Sequence, residues 1–208
     1  MADGPNDVID LKRTHVRDAA EMLGRAFQDD PQLSFIIPDA KRRKEALPHI
    51  FRFLLLDGIS EGVVHATSER LEGVAAWFPS WKGGRSLWVL YRLGLLALYF
   101  RVGREVIKKL RFFSEFESSI RRRVAPYPHW YLSPLGVDPR FQGGGHAGKL
   151  MDAMLTRVDS ENLPCCLETQ NKKNIAFYRK YDFTVVDEST VPGTGVKTWV
   201  LVRKKQGI

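Results

Sequence analysis

The chain has 208 residues, 44% of them hydrophobic, enough for one domain over 1–208 with a core that needs no covalent staples. Its formal charge of +8 and its two adjacent cysteines, Cys165 and Cys166, argue against a disulfide scaffold and for a basic globular protein. The opening Met-Ala-Asp-Gly-Pro-Asn-Asp is acidic and polar where a signal peptide is basic and then apolar, so secretion is not expected and a cytoplasmic chain is.

Val8-Ile9-Asp10-Leu11 reads as a short first strand. Thr14 stands where it would cap a helix with the apolar stripe Val16, Ala19, Ala20, Leu23, Ala26 and Phe27, which Asp29-Asp30-Pro31 ends. A second helical region spans residues 41–60, with Leu47, Ile50, Phe51, Leu54 and Leu55 apolar and Pro48 a candidate kink. Residues 63–66 and 71–78 read as a hairpin across Thr67-Ser68-Glu69-Arg70, closed off by 79–84. Asp57 and Glu61, near the hairpin's entrance, read as solvated charges at a helix end.

From about 85 to 125 an insert, predicted as two helices, separates the third strand from the fourth. Leu87, Trp88, Leu90, Tyr91, Leu93, Leu95, Leu96, Leu98, Tyr99 and Phe100 make its first part almost wholly apolar. The run between Arg85 and Arg101 is only about 15 residues and holds Arg92, whereas a spanning helix needs about 20. It reads as a core or interface helix or one wall of a substrate pocket, with a membrane-surface position as the alternative. Between Arg101 and Arg123, eight basic side chains face Glu105, Glu115 and Glu117, a local net of +5 that attracts anions. Phe112, Phe113 and Phe116 there read as the apolar face of a helix.

Residues 129–137 follow as a strand that Asp138-Pro139 stops. Beyond the turn, Ala147, Met151 and Leu155 share a helical stripe, flanked by Leu150, Met154 and Val158, that runs to about Asp159. The first turn of that helix is read as glycine, although Gly143, Gly144 and Gly145 would each cost roughly 1 kcal/mol relative to alanine in a helix interior. Such a turn suits a ligand that must approach bare backbone, and the unpaired N–H groups and dipole of the helix end favour an anion, most simply a phosphate. From the glycines alone, a plain strand-to-helix connector is the alternative. Gly143, Gly145 and Gly148 satisfy the bare dinucleotide spacing, but late in the chain where that fold usually has it first. Gly148-Lys149 is followed by Leu150 where a Walker loop needs Ser or Thr.

Residues 164–169 read as the next strand, 171–181 as a short helix, and 183–186 and 198–203 as a closing strand pair joined through 191–195. Neighbouring strand side chains point to opposite faces, so Cys165 and Cys166 are read as two small reduced core residues. No His, Cys or Asp cluster has metal-ligand spacing, and no metal is expected.

Two motifs in order carry a resemblance. Gln142, Gly145 and Ala147 fit Gln/Arg-x-x-Gly-x-Gly/Ala behind Leu135-Gly136-Val137. Asn171, Phe177, Tyr178 and Phe183 fit Asn-x-x-x-x-x-(Phe/Leu)-Tyr-x-x-x-Gly-Phe, with Asp182 at the glycine position, a left-handed site that aspartate tolerates better than most residues. The chain thus resembles the GNAT superfamily of acetyl-CoA-dependent N-acyltransferases. Trp77-Phe78-Pro79, Trp130-Tyr131-Leu132, Leu167-Glu168-Thr169 and Lys197-Thr198-Trp199 are similar to its puromycin N-acetyltransferase-like subfamily.

The resemblance implies an α/β (α+β) GNAT fold: a mixed, mostly antiparallel sheet of about six to seven strands flanked by helices, with the helical insert between the third and fourth. It implies acetyl-CoA as cofactor, its pantetheine arm paired with the strand at Leu135, Gly136 and Val137. Its pyrophosphate would lie on the loop amides of Gln142, Gly143, Gly144, Gly145, His146, Ala147 and Gly148. Asn171, with Asn174, is expected to bond the pantetheine region, and the Tyr178 hydroxyl to lie by the sulfur. His146 is read as a solvated side chain in that loop.

A free alkylammonium titrates near pH 10, so an amine acceptor needs a base. The strand at 129–137 lacks the glutamate that serves in some members, which makes Glu168 the first candidate and His129 the second, a structural role for Glu168 standing as the alternative. A backbone N–H near Val137 would hold the developing oxyanion and Tyr178 would protonate the thiolate, unless Tyr178 is a core aromatic against Ile175. The expectation is direct acetyl transfer to the amine of a small molecule or peptide, by a monomer or homodimer with no stable nucleic-acid partner and no transmembrane segment. A hydroxyl acceptor, and a non-catalytic CoA-sensing, nucleic-acid-binding or membrane-surface protein, are the alternatives.

Overall fold

The computed structural model describes residues 8–82 and 94–205. The elements in chain order are β1 (Ile9–Asp10), α1 (Val16–Ala26), α2 (Pro31–Ile36), α3 (Ala40–Glu61), β2 (Val63–Ala66), β3 (Gly73–Pro79), α4 (Leu95–Val102) and α5 (Arg104–Val124). They continue with β4 (Trp130–Val137), α6 (His146–Ser160), β5 (Cys165–Thr169), α7 (Asn174–Arg179), β6 (Thr184–Thr190) and β7 (Lys197–Arg203).

Among the described residues the strands form one seven-stranded sheet in the order β1-β2-β3-β4-β5-β7-β6. The β4–β5 pair is parallel and the other five pairs are antiparallel. The strand period of two puts Val74 and Ala76 of β3 into a cluster with α1, α2 and α3, and Ala75 and Trp77 into a second with α6 and α7. The sheet is therefore covered on both faces. Cys165 joins the α6 cluster and Cys166 packs with Ile120 of α5, each buried and free, as their opposite-face reading requires.

Where local signals and packing differ, packing decides. Thr14 caps nothing: it lies in a 3-10 turn (Arg13–His15), and His15 takes the N-cap position of α1 without a side-chain bond. Asp30 does more than stop α1, because its carboxylate accepts the Leu33 N–H at 3.0 Å and, with Pro31 at the first helical position, starts α2. α3 runs through Pro48, whose ring lies where a Cβ on Gly24 of α1 would sit 3.2 Å away. Asp57 is buried, not solvated, since the end of α3 presses on the sheet so closely that a Cβ on Gly58 would stand 2.7 Å from Val64 Cγ2.

The insert joins the third strand to the fourth as expected, and α4 and α5 are its described helices; Leu87, Trp88, Leu90, Tyr91 and Leu93 lie outside the described residues. Phe113 is fully buried on α5, whereas Phe112 is exposed because it falls off the inner stripe. Lys109 of α5 donates to the carbonyls of Phe35 and Ile36 at 3.4 and 3.3 Å, tying the insert to the end of α2. Among the described residues, no helix is long and apolar enough to cross a membrane.

Candidate active site

The parallel ladder between β4 and β5 covers three residue pairs, Trp130 with Cys165, Tyr131 with Cys166 and Leu132 with Leu167. On its other edge β4 stays paired with β3, but Trp77 faces Leu132 while Ala75 faces Leu135, so Ser133 and Pro134 together oppose Ala76. An extra residue of this kind bends a strand and sharpens its twist. β4 turns away from β5 past Leu132, and a cleft of about 180 Å³ opens between them.

Beyond the bulge Gly136 faces α1, where a Cβ would come within 2.5 Å of Leu23 Cδ2, so only glycine lets the helix lie this close. Asp138 then anchors the strand's end, accepting from Arg140 at 2.8 Å and Arg25 of α1 at 2.7 Å. Those two guanidiniums hold its carboxyl well below the usual range despite burial.

The glycine turn lies just outside α6, which begins at His146 and not earlier as the sequence suggested. Gly143 and Gly145 have φ of +83° and +81°, values that suit glycine, and a Cβ on either would meet nothing within 4 Å. Lys149 N–H bonds Gly145 O at 3.1 Å, which leaves the N–H groups of His146, Ala147 and Gly148 in the first turn without intrahelical acceptors. Bare backbone, open space and a helix's positive end together fit a phosphate group. Gln142 turns back and donates to Val137 O at 3.2 Å.

Leu135, Asn174, Tyr178 and Glu168 line the cleft together. Asn174 Nδ2 bonds Thr169 Oγ1 at 3.1 Å, whereas the exposed Asn171 accepts the Lys173 N–H in a local turn and does not line the cleft. Asp182 is left-handed at φ +63°, as its place in the motif requires. Burial raises the Tyr178 hydroxyl well above its ordinary pKa, so it is protonated at neutral pH. His129 lies elsewhere: it lines a separate cavity at the start of β4 with Trp81 and Tyr127, and its Nδ1 contacts Tyr127 O at 2.8 Å.

Glu168 forms an ion pair with Arg121 of α5, whose guanidinium carbon lies 3.9 Å from the centre of the Tyr131 ring. Burial pushes the Glu168 carboxyl up, while Arg121 and Tyr131 oppose that shift. Glu117, one helical turn before Arg121, enters the same cleft and accepts from Gln170 Nε2 at 2.8 Å. Burial first, and then the charge of Glu168, push it up to about 8. Asp30 is also in the cleft and is raised by burial. A larger cavity of about 610 Å³, between α1, α3 and α4, contains none of the predicted site residues.

The sequence reading passed over Glu117, Arg121 and Asp30. For Glu117 a signal existed: Val106, Leu110, Phe113, Glu117, Ile120 and Val124 recur at steps of four and three, so one acid interrupts an apolar stripe.

The sequence profile of the Acetyltransferase (GNAT) family matches residues 72–183, more than half of the chain. An uncharacterised N-acetyltransferase of Schizosaccharomyces pombe is 27% identical over 183 residues, covering 83% of this chain and 73% of that protein. A crystal structure of histone acetyltransferase HPA2 and related acetyltransferase from Corynebacterium glutamicum superposes with a TM-score of 0.66 at 15% identity, covering 97% of each chain. Arylalkylamine N-acetyltransferase 2 from Aedes aegypti gives 0.64 at 14% identity, covering 95% of this chain and 98% of that one. The two structures share the fold, and the profile match together with the parted strands and the glycine turn means that this chain belongs to the GNAT acetyltransferase family.

Proposed function

We propose that the chain, acting as one unit over 1–208 with its insert, transfers an acetyl group from acetyl-CoA directly to the amine of a small molecule or peptide. The observation that carries this reading is the parting of β4 from β5 past Leu132, between a bare glycine turn and a group of buried carboxylates. When bound, acetyl-CoA supplies an acetyl group activated as a thioester. The amides of 143–148 would hold its diphosphate, the free edge of β4 at 135–137 and Asn174 its arm, and Tyr178 would donate a proton to the leaving sulfur. A β4 backbone N–H beyond the bulge is suited to the developing oxyanion.

The acceptor end of the cleft is walled by Phe27, Leu33, Phe51 and Leu54, and it brings Asp30, Glu117 and Glu168 together with Arg121 as their near cation. Three carboxyls against one guanidinium favour a cationic group, and the walls favour an apolar body, so an alkylammonium on an apolar frame fits best. The likeness to the puromycin N-acetyltransferase-like subfamily adds aminonucleosides to the acceptors worth testing. Thiol release from acetyl-CoA, followed over arylalkylamines, polyamines, aminonucleosides and peptide N-termini, should respond to at least one amine and to none of the matched alcohols. Silence across all amines would refute the assignment. Tyr178→Phe should slow turnover about 10²-fold with acetyl-CoA affinity little changed, and an unaltered rate would remove the hydroxyl from the chemistry.

A further inference from the structure

We infer that Glu117, carried into the cleft by the insert helix α5, takes the proton from the acceptor amine, and that Glu168, held on Arg121, is its positioning partner. The inference rests on the acetyl-transfer reading above. Glu168 holds Arg121 through Oε1 in a buried ion pair, and Arg121 is stacked on Tyr131. Glu117 makes no ion pair among the described residues; it accepts from the neutral amide of Gln170, which also donates to Thr198 Oγ1 at 3.1 Å. A neutral amide donor lowers a carboxylate's affinity for a proton less than an ion pair does.

The charged or titratable groups that face Glu117 are Arg121 on its own helix, Glu168 on β5, Asp30 at the start of α2 and Tyr131 on β4. Burial first, and then the charge of Glu168, raises Glu117 from 4.5 to about 8, with Arg121 opposing the rise and Asp30 adding to it. That lies about two units below an alkylammonium near pH 10, where an ordinary glutamate lies more than five below. The Glu117 carboxylate takes one ammonium proton, which frees the nitrogen lone pair to bond the acetyl carbon as the carbon–sulfur bond breaks. The second nitrogen proton replaces the one Tyr178 gives the thiolate, and Glu117 returns its own to water.

Two measurements test this on the full chain. In wild type, kcat/KM should fall on the acid side with an apparent pKa near 8. Glu117→Gln should lower it by 10²–10⁴-fold at pH 7 and abolish that limb, whereas Glu168→Gln should keep the limb and move it to lower pH. The ligand-free melting temperature gives a readout independent of turnover. A carboxyl raised in the folded state stabilises below its unfolded pKa, and that stability is lost as pH rises through its folded pKa. Wild type should therefore lose stability relative to Glu117→Gln between about pH 4.5 and 8. A pH-independent gap, a wild-type limb in Glu117→Gln, or a limb lost in Glu168→Gln alone would each overturn the inference. A chain that releases no thiol with any amine would instead refute the acetyl-transfer reading, and the melting comparison would still report on Glu117.

Discussion

Arg121→Ala should destabilise the chain by about 3–5 kcal/mol at neutral pH, because it leaves Glu168 buried with its counter-charge gone. The loss should exceed the worth of the pair itself. Removing both charges at once, as in Arg121→Met with Glu168→Leu, should restore most of the stability, since apolar replacements of a buried pair are often neutral. The single variant's deficit should also shrink toward acid. With Arg121 gone, burial and mutual repulsion would raise Glu117 and Glu168 further, so protonation relieves the strain and the penalty is fully present only above their raised pKa values. Urea denaturation at several pH values measures all three. A single variant within about 0.5 kcal/mol of wild type would mean that α5 does not dock over β5 as described.

Gly145→Glu should abolish the rise in melting temperature that acetyl-CoA gives the wild type. A ligand at 100 times its dissociation constant stabilises by about 2.7 kcal/mol, roughly 5–10 °C for a chain of this size. The substitution sets a negative side chain in the open space above the turn, where the diphosphate would lie, and forces a non-glycine residue to φ +81°. The second effect needs a control. Gly195 has φ +70° in the turn between β6 and β7, again with nothing within 4 Å, so Gly195→Glu bears similar backbone strain at a residue that does not line the cleft. It should keep the full shift. Equal loss in both variants would assign the effect to strain and remove the turn from ligand binding.

Much of the fold could be read from local pattern. The hairpin of 63–66 with 71–78, the stripe of α6 and the left-handed Asp182 each depend on neighbours within a few residues, and all have structural counterparts. What local pattern hides is where elements meet. The bulge at Ser133 and Pro134 exists only relative to β3, and it is what opens the cleft. The pairing of Arg121 with Glu168 spans 47 residues, so a charge count that placed Arg121 in an anion-attracting patch had no means of seeing that it is spent inside the protein. Asn171 and Asn174 have the same chemistry three residues apart, and only the geometry of the turn after β5 brings Asn174 to the cleft and leaves Asn171 outside. Glu117 was within reach, because an acid in an otherwise apolar stripe needs a reason, and here the reason is a buried polar cleft.

The most direct measurement is a crystal structure of the full chain grown with acetyl-CoA. It should show the diphosphate on the amides of 143–148 and the thioester between Leu135 and Tyr178, with Glu117 on the acceptor side of the acetyl carbon. Donor density in the cavity between α1, α3 and α4, or an empty glycine turn with donor bound elsewhere, would contradict the account.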